Sequence, residues 1–184
     1  MSERSVRAKI SRLRQAYAPH DHRPLGGYLV AMGTYTGVTG LLATLVKVTG
    51  RPVPVRPSTA DIVLVSIATH KLSRVLTKDA VTSPLRAPFT QYDKPIGSGE
   101  VMEQVRDSGS GTRHAIGELL SCPFCLAVWI ATGLTGGLVL APRLTRLAAT
   151  ALTAVAASDF LQMGYAIAQQ AAHRPARPVS ASPG

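Results

Sequence analysis

Charge is scarce in this chain, and negative charge scarcest: of 184 residues ten are Asp or Glu and twenty are Lys or Arg. Charged residues make up 16% of the whole, well under the roughly 25% of an ordinary soluble domain. They are missing in blocks. Gly26 to Val46 holds none, Ala115 to Leu140 holds only Glu118, and Leu147 to Gln170 holds only Asp159. Cysteine is nearly absent too. Cys122 and Cys125 are the only two, which excludes a disulfide-stapled secreted scaffold and leaves at most half of a four-thiolate zinc site. A short apolar run behind a basic lead is also lacking, because the first apolar block is too long for a signal-peptide core. It reads as a retained anchor. No Lys-Ser/Thr pair follows the glycines at Gly109 to Thr112, so the chain has no P-loop.

What is present is helix of membrane length. A spanning helix needs about 20 mostly apolar residues, and the three blocks meet that length. A fourth stretch, Ser58 to Thr77, is weaker, with a clean apolar core only from Ile62 to Ala68. It spans if Lys71, Arg74 and Lys78 reach back to one surface. The fold expected is an all-α polytopic membrane bundle of four helices, with spans at about 26–46, 58–77, 115–140 and 147–170. A basic cytosolic tail (1–24, with a short surface helix near Val6 to Tyr17) precedes it, and a disordered tail (171–184) follows. The rival has three spans, with 58–77 interfacial or re-entrant.

Net charge is +10. The basic residues flank the apolar blocks, so topology and anionic lipid account for them and no nucleic-acid partner is expected. With a cytoplasmic N-terminus, fifteen Lys and Arg fall inside and five (Lys47, Arg51, Arg56, Arg143, Arg146) outside. Positive charge favours the cytoplasmic face, so both termini and the 78–113 loop are placed there. That loop reads as a partly ordered cap with a short helix near Gly99 to Asp107. In the first span, Gly33 and Gly37 form a Gly-x-x-x-Gly pair that permits close helix approach, or simply face lipid.

The candidate chemistry gathers where the third block begins. Pro123 cannot sit quietly in a helix interior. Either the helix kinks, or it breaks at Ser121-Cys122 and restarts with Pro123 in its first turn. In the second case Cys122 lies at a helix N-terminus, where thiols are more reactive, and is expected to react before Cys125. His114, Glu118 and Cys122 follow one another at four-residue spacing on one face. With Cys125 they form a candidate metal set for zinc or iron, and Glu118, Cys122 and Cys125 form a candidate catalytic set for thiol redox chemistry, with a quinone as a conceivable cofactor. The plain alternative is that the thiols only pack. At 1.5 Å per residue, His70 and Asp159 lie about 18 Å from the outer end and Cys122 about 12 Å from the inner end, one common layer. Asp159 is expensive there without a partner. A base on the second helix is expected beside it, from His70, Lys71 and Arg74, with His70 first and Arg74 second.

Several runs together, Lys71-Leu72-Ser73-Arg74, Asp79, Leu85-Arg86-Ala87-Pro88-Phe89-Thr90, Arg113 to Cys125 with Trp129, and Ser158-Asp159, carry a resemblance. The stretch from Thr69 to Asp159 resembles an uncharacterised bacterial membrane-protein family, domain of unknown function 1360. The resemblance implies an integral membrane protein with a polar cytosolic loop, in which Asp79, Arg86 and Arg113 are the residues of interest, and implies no activity. Three function classes follow: a membrane scaffold or binding protein acting through the loop and the Cys-Pro-Phe-Cys helix start, a membrane thiol oxidoreductase, and a metal-binding membrane protein. The expected setting is the bacterial inner membrane. The expected partners are the bilayer and either a cytosolic protein or a second copy of the chain.

Overall fold

The structure is a computed structural model that describes residues 16–17, 24–97, 99–106 and 111–173. The tails at 1–15 and 174–184, the Val6 to Tyr17 helix apart from its last two residues, and the glycine turn before Gly111 lie outside the described residues.

Among the described residues, six α-helices and one hairpin follow in order: α1 (Leu25–Thr49), α2 (Thr59–Lys78), α3 (Ser83–Arg86), β1 (Thr90–Pro95), β2 (Val101–Val105), α4 (Gly111–Ser121), α5 (Pro123–Leu140) and α6 (Pro142–Ala172). Three of them, α1, α5 and α6, are long and apolar enough to cross a membrane. The fourth expected span, 58–77, corresponds to α2, which falls below that mark. The polar side chains of α2, from His70 to Lys78, dilute its apolar content below that of its neighbours.

The ends are set locally. Gly50 closes α1 in the left-handed conformation at φ 62°, which glycine adopts without cost. Ser58 caps α2, its Oγ accepting from Asp61 N–H at 3.0 Å. Pro142 begins α6 in its first turn, five residues earlier than the apolar pattern suggests, because a proline there loses no hydrogen bond. The ends of α2 and α6 farthest from the cap are joined by Arg146, which donates to both oxygens of Asp61 at 2.8 and 2.9 Å.

Packing centres on α2, which lies against both α5 and α6. Its buried face is small and polar: Ala68, Thr69, Ser73 and Thr77. Helix α1 touches α4 and α5. There Tyr35 stacks edge-on against Trp129 with centroids 5.2 Å apart, and its hydroxyl bonds Thr132 at 2.7 Å. Gly33 and Gly37 have nothing within 4 Å of where a Cβ would stand, so the glycine pair holds no close helix contact among the described residues.

The described residues of the 78–113 loop are folded. Its expected helix near Gly99 to Asp107 is instead strand β2, antiparallel to β1 with a bulge between Tyr92 and Lys94. The run Val-Met-Glu-Gln-Val does not alternate, and only Val at both ends favours a strand. Gly99, at φ 82°, turns the hairpin.

Candidate functional site

Three groupings of polar side chains lie at the cap end of the bundle. The first is inside the cap. Arg86 is fully buried. Its Nε and Nη2 donate to Glu103 Oε2 and Oε1 at 2.8 and 2.9 Å. Nη1 donates to the Leu76 carbonyl at 2.9 Å, and Nη2 to the Asp79 carbonyl at 3.0 Å. Thr82 and Ser83 hydroxyls take the remaining guanidinium contacts at 2.6 and 3.1 Å. Glu103 is satisfied in turn, accepting from Ser83 at 2.9 Å and Thr90 at 2.7 Å. Every charge is paired and every polar atom bonded, the condition under which a buried ion pair is tolerated. Burial alone would raise the Glu103 carboxyl. The hydrogen bonds from Arg86, Thr90 and Ser83 outweigh it and hold the group below its ordinary 4.5.

The two quoted motifs meet here. Arg113 donates to the Pro88 carbonyl at 2.7 Å and lies 6.0 Å over the Phe89 ring. Gly117, in α4, sits so close to the hairpin that an added Cβ would stand 2.7 Å from Val105 Cγ1 and 3.0 Å from the Phe89 carbonyl oxygen. The Arg-Ala-Pro-Phe-Thr turn and the Gly-Glu-Leu helix are two sides of one contact.

The second grouping joins the cap to α2 and α6. Lys71 Nζ donates to Asp159 Oδ2 at 2.7 Å. Arg74 binds Glu100 with both ends of its fork, at 3.0 and 2.6 Å. His70 is exposed. The base beside Asp159 is therefore Lys71, a correction to the expected order: one residue along a helix turns the side chain by about 100°, which carries His70 outward. Asp79 lies close enough to feel this cluster. Burial pushes its carboxyl above the ordinary 3.8, Lys71 opposes that, and Glu100 and Asp159 add to it. A double-mutant cycle of Lys71→Met and Asp159→Asn, read by thermal unfolding in detergent, should show a coupling of up to about 1 kcal/mol. His70→Asn with Asp159→Asn should show none.

The third grouping is the cysteine pair. The chain takes the broken geometry: α4 ends at Ser121, Cys122 is the N-cap of α5, and Pro123 is its first residue. Cys122 Sγ accepts from Cys125 N–H at 3.2 Å, and the two sulfurs face each other at 2.6 Å. Both thiols are free, Cys122 half-buried and Cys125 exposed. Because α5 begins at Pro123, the pair marks the cap-side end of the helix rather than a point about 12 Å within it. Asp159, seventeen residues past Pro142, lies about 26 Å along α6, which matches the length of α5 and keeps the two features level. His114 Nε2 lies 3.6 Å from Glu118 Oε1, so the acid and imidazole turn to each other. Among the described residues no three His, Cys, Asp or Glu side chains group to hold a metal ion, and the expected four-donor set is not assembled.

Glu103, Ser83 and Glu100 escaped the sequence reading, and Thr90 entered it only as the end of the Leu85-to-Thr90 run. The signal for Glu103 was its place between Val101 and Val105 at strand spacing, the apolar side of a strand interrupted by one acid.

Three membrane-length apolar helices, a polar helix packed among them and a hairpin cap define a helical protein of membrane type. The chain belongs to the family described as protein of unknown function (DUF1360), whose model matches residues 64–165. That match covers α2 from Leu64, the cap, α4, α5 and α6 to Tyr165, and leaves α1 outside. A curated relative, sporulation protein YjcA of Bacillus subtilis, is 39% identical over 71 residues, covering 38% of this chain and 60% of that protein. The match thus spans under two thirds of the relative's length. No solved structure matches.

Proposed function

We propose that the protein is a four-span scaffold of the bacterial inner membrane, both termini cytoplasmic, that binds a cytosolic protein through its hairpin cap. The observation that carries this reading is how the cap is built. The Arg86–Glu103 network holds the turn, the hairpin and the end of α2 in one shape. Apolar side chains stand on the outside of that shape: Val81 is 90% exposed, Leu85 62%, Tyr92 60% and Ile96 40%. A surface already in its bound form loses little entropy on binding, and exposed apolar groups rimmed by charge suit a protein partner. The fourth span is α2. It is about 30 Å long, its Lys71, Arg74 and Lys78 fall in the cap-side half where they reach headgroups, and α5 and α6 flank it. The fifteen-to-five division of Lys and Arg supports the orientation. Sporulation, the process in the relative's name, is one setting in which such a scaffold would serve.

Reporter fusions at Pro54, Gly97 and the C-terminus, together with a photoreactive residue at Tyr92 or Val55, test the reading. A cytosolic reporter should be active at Gly97 and the C-terminus and silent at Pro54. Tyr92 should give a discrete protein adduct that Val55, 99% exposed on the opposite side, does not. A cytosolic reporter silent at Gly97 removes the topology. Absence of an adduct from Tyr92 in correctly inserted protein removes the binding role.

A further inference from the structure

We propose that Cys122 and Cys125 form a dithiol site that exchanges with an external disulfide and closes reversibly into an intramolecular bond. The site is independent of any partner held by the cap. Three observations on the page meet in it. The sulfurs lie 2.6 Å apart, inside van der Waals contact, so a bond of about 2.05 Å needs only a small rotation of two side chains. Cys125 is exposed, and the Phe124 beside it is 86% exposed, so the thiols open to the surroundings rather than into the bundle. The backbone is already shaped for the pair. Pro123 cannot donate a hydrogen bond, Cys122 occupies the cap position ahead of it, and the Cys125 N–H is directed at the Cys122 sulfur at 3.2 Å. Thiols that merely fill a core have no need of this arrangement, and inert structural cysteines are buried.

The reaction balances without a metal. The thiolate of Cys122, which accepts from both the Cys125 N–H and the Cys125 thiol, attacks one sulfur of a small or protein disulfide. A mixed disulfide forms, and the first external thiolate leaves and takes up the proton lost by Cys122. The Cys125 thiolate then attacks Cys122 Sγ and expels the second external thiol, which takes the second proton. Two protein thiols are oxidised and one external disulfide is reduced to two thiols. On the cytoplasmic side, where glutathione-type buffers keep thiols reduced, such a bond is transient, so the resting state is the dithiol seen here. Closure ties the cap residue of α5 to its first turn and leaves the rest of the fold untouched. Cys122 is the first to react because the donors at the helix start favour its thiolate, and its half-buried sulfur is still within reach of an external disulfide.

The test uses the full chain, reduced, in detergent micelles and exposed to glutathione disulfide at fixed ratios of reduced to oxidised glutathione. Samples are quenched with an alkylating agent and read by mass spectrometry. In the wild type both thiols should disappear together, leaving an internal disulfide that dithiothreitol reverses and no lasting glutathione adduct. Cys125→Ser should accumulate the adduct on Cys122. Cys122→Ser should lose its remaining thiol at least tenfold more slowly than the wild type does. A lasting adduct on either cysteine of the wild type overturns the proposal. So does thiol loss that begins only when the protein is unfolded by denaturant, or a Cys122→Ser variant that reacts as fast as the wild type. The wild-type arm stands alone if either serine variant fails to fold.

Discussion

Arg86→Leu should unfold the cap. The substitution leaves the Glu103 carboxylate buried against apolar atoms with only two hydroxyl donors, Ser83 and Thr90, and it frees the carbonyls of Leu76 and Asp79. Breaking a buried pair from one side costs about 3–5 kcal/mol. Limited proteolysis in detergent should therefore cut between Thr90 and Val105 in the variant and spare the wild type. Arg86→Lys should not restore protection, since one ammonium cannot reproduce the two-point grip on Glu103 and also reach two carbonyls. Arg86→Leu combined with Glu103→Leu should recover part of the loss, because the uncompensated charge is gone. The same carboxylate gives the cap a dependence on pH. Its folded value is lowered, so its contribution is present above the ordinary 4.5 and is lost as pH falls through the lower folded value. Asp79, whose folded value is raised, works the other way. Protonation relieves its burial, so it favours the fold below its ordinary 3.8 and ceases to as pH rises through its higher folded value. Protease protection of the wild-type cap should weaken in acid, and Glu103→Gln should flatten that profile while lowering protection at neutral pH. A cap equally resistant with and without Arg86 would show that the network does not hold it.

Gly117→Ala should loosen α4 from the hairpin. The new methyl carbon would stand 2.7 Å from Val105 Cγ1 and 3.0 Å from a backbone oxygen, that of Phe89. A β-branched valine has few rotamers to retreat into, and the carbonyl moves only with the whole turn. Overpacking of this kind costs about 1–3 kcal/mol. Gly33→Ala and Gly37→Ala provide the contrast, because nothing stands within 4 Å of either position and the intrinsic helix preference of alanine is worth up to about 1 kcal/mol. Thermal unfolding in detergent should lower the melting temperature for Gly117→Ala and leave it level or raised for the other two. A destabilised Gly37→Ala with an unaffected Gly117→Ala would contradict the packing described.

The membrane-length helices were legible because charge-free runs are long and unambiguous. Gly26 to Val46 and Leu147 to Gln170 fall within α1 and α6, and the ends that differ were moved by Gly50 and Pro142, single residues with fixed local preferences. Pro123 gave two geometries, and the structure takes the break. The hairpin was harder. Thr-Gln-Tyr-Asp-Lys-Pro carries little strand signal, and Pro95 argues against a strand unless it lies at an edge. What stabilises β1 is Thr90 and its contact with Glu103, thirteen residues away, which periodicity does not report. The choice of Lys71 over His70 turned on one helical step, finer than depth arithmetic along a helix resolves. Gly117 and Gly33 look alike as letters. Only the partner surface, an oxygen and a methyl from a segment ten or more residues away, separates a required glycine from a tolerated one.

Arg86 grips the Leu76 carbonyl in the last turn of α2, and Arg74, two residues earlier, grips Glu100 at the hairpin. Two anchor points fix direction as well as position. The hairpin therefore has no swivel of its own: it is the handle of a lever whose shaft is α2, and whatever leans that shaft turns the cap through the same angle.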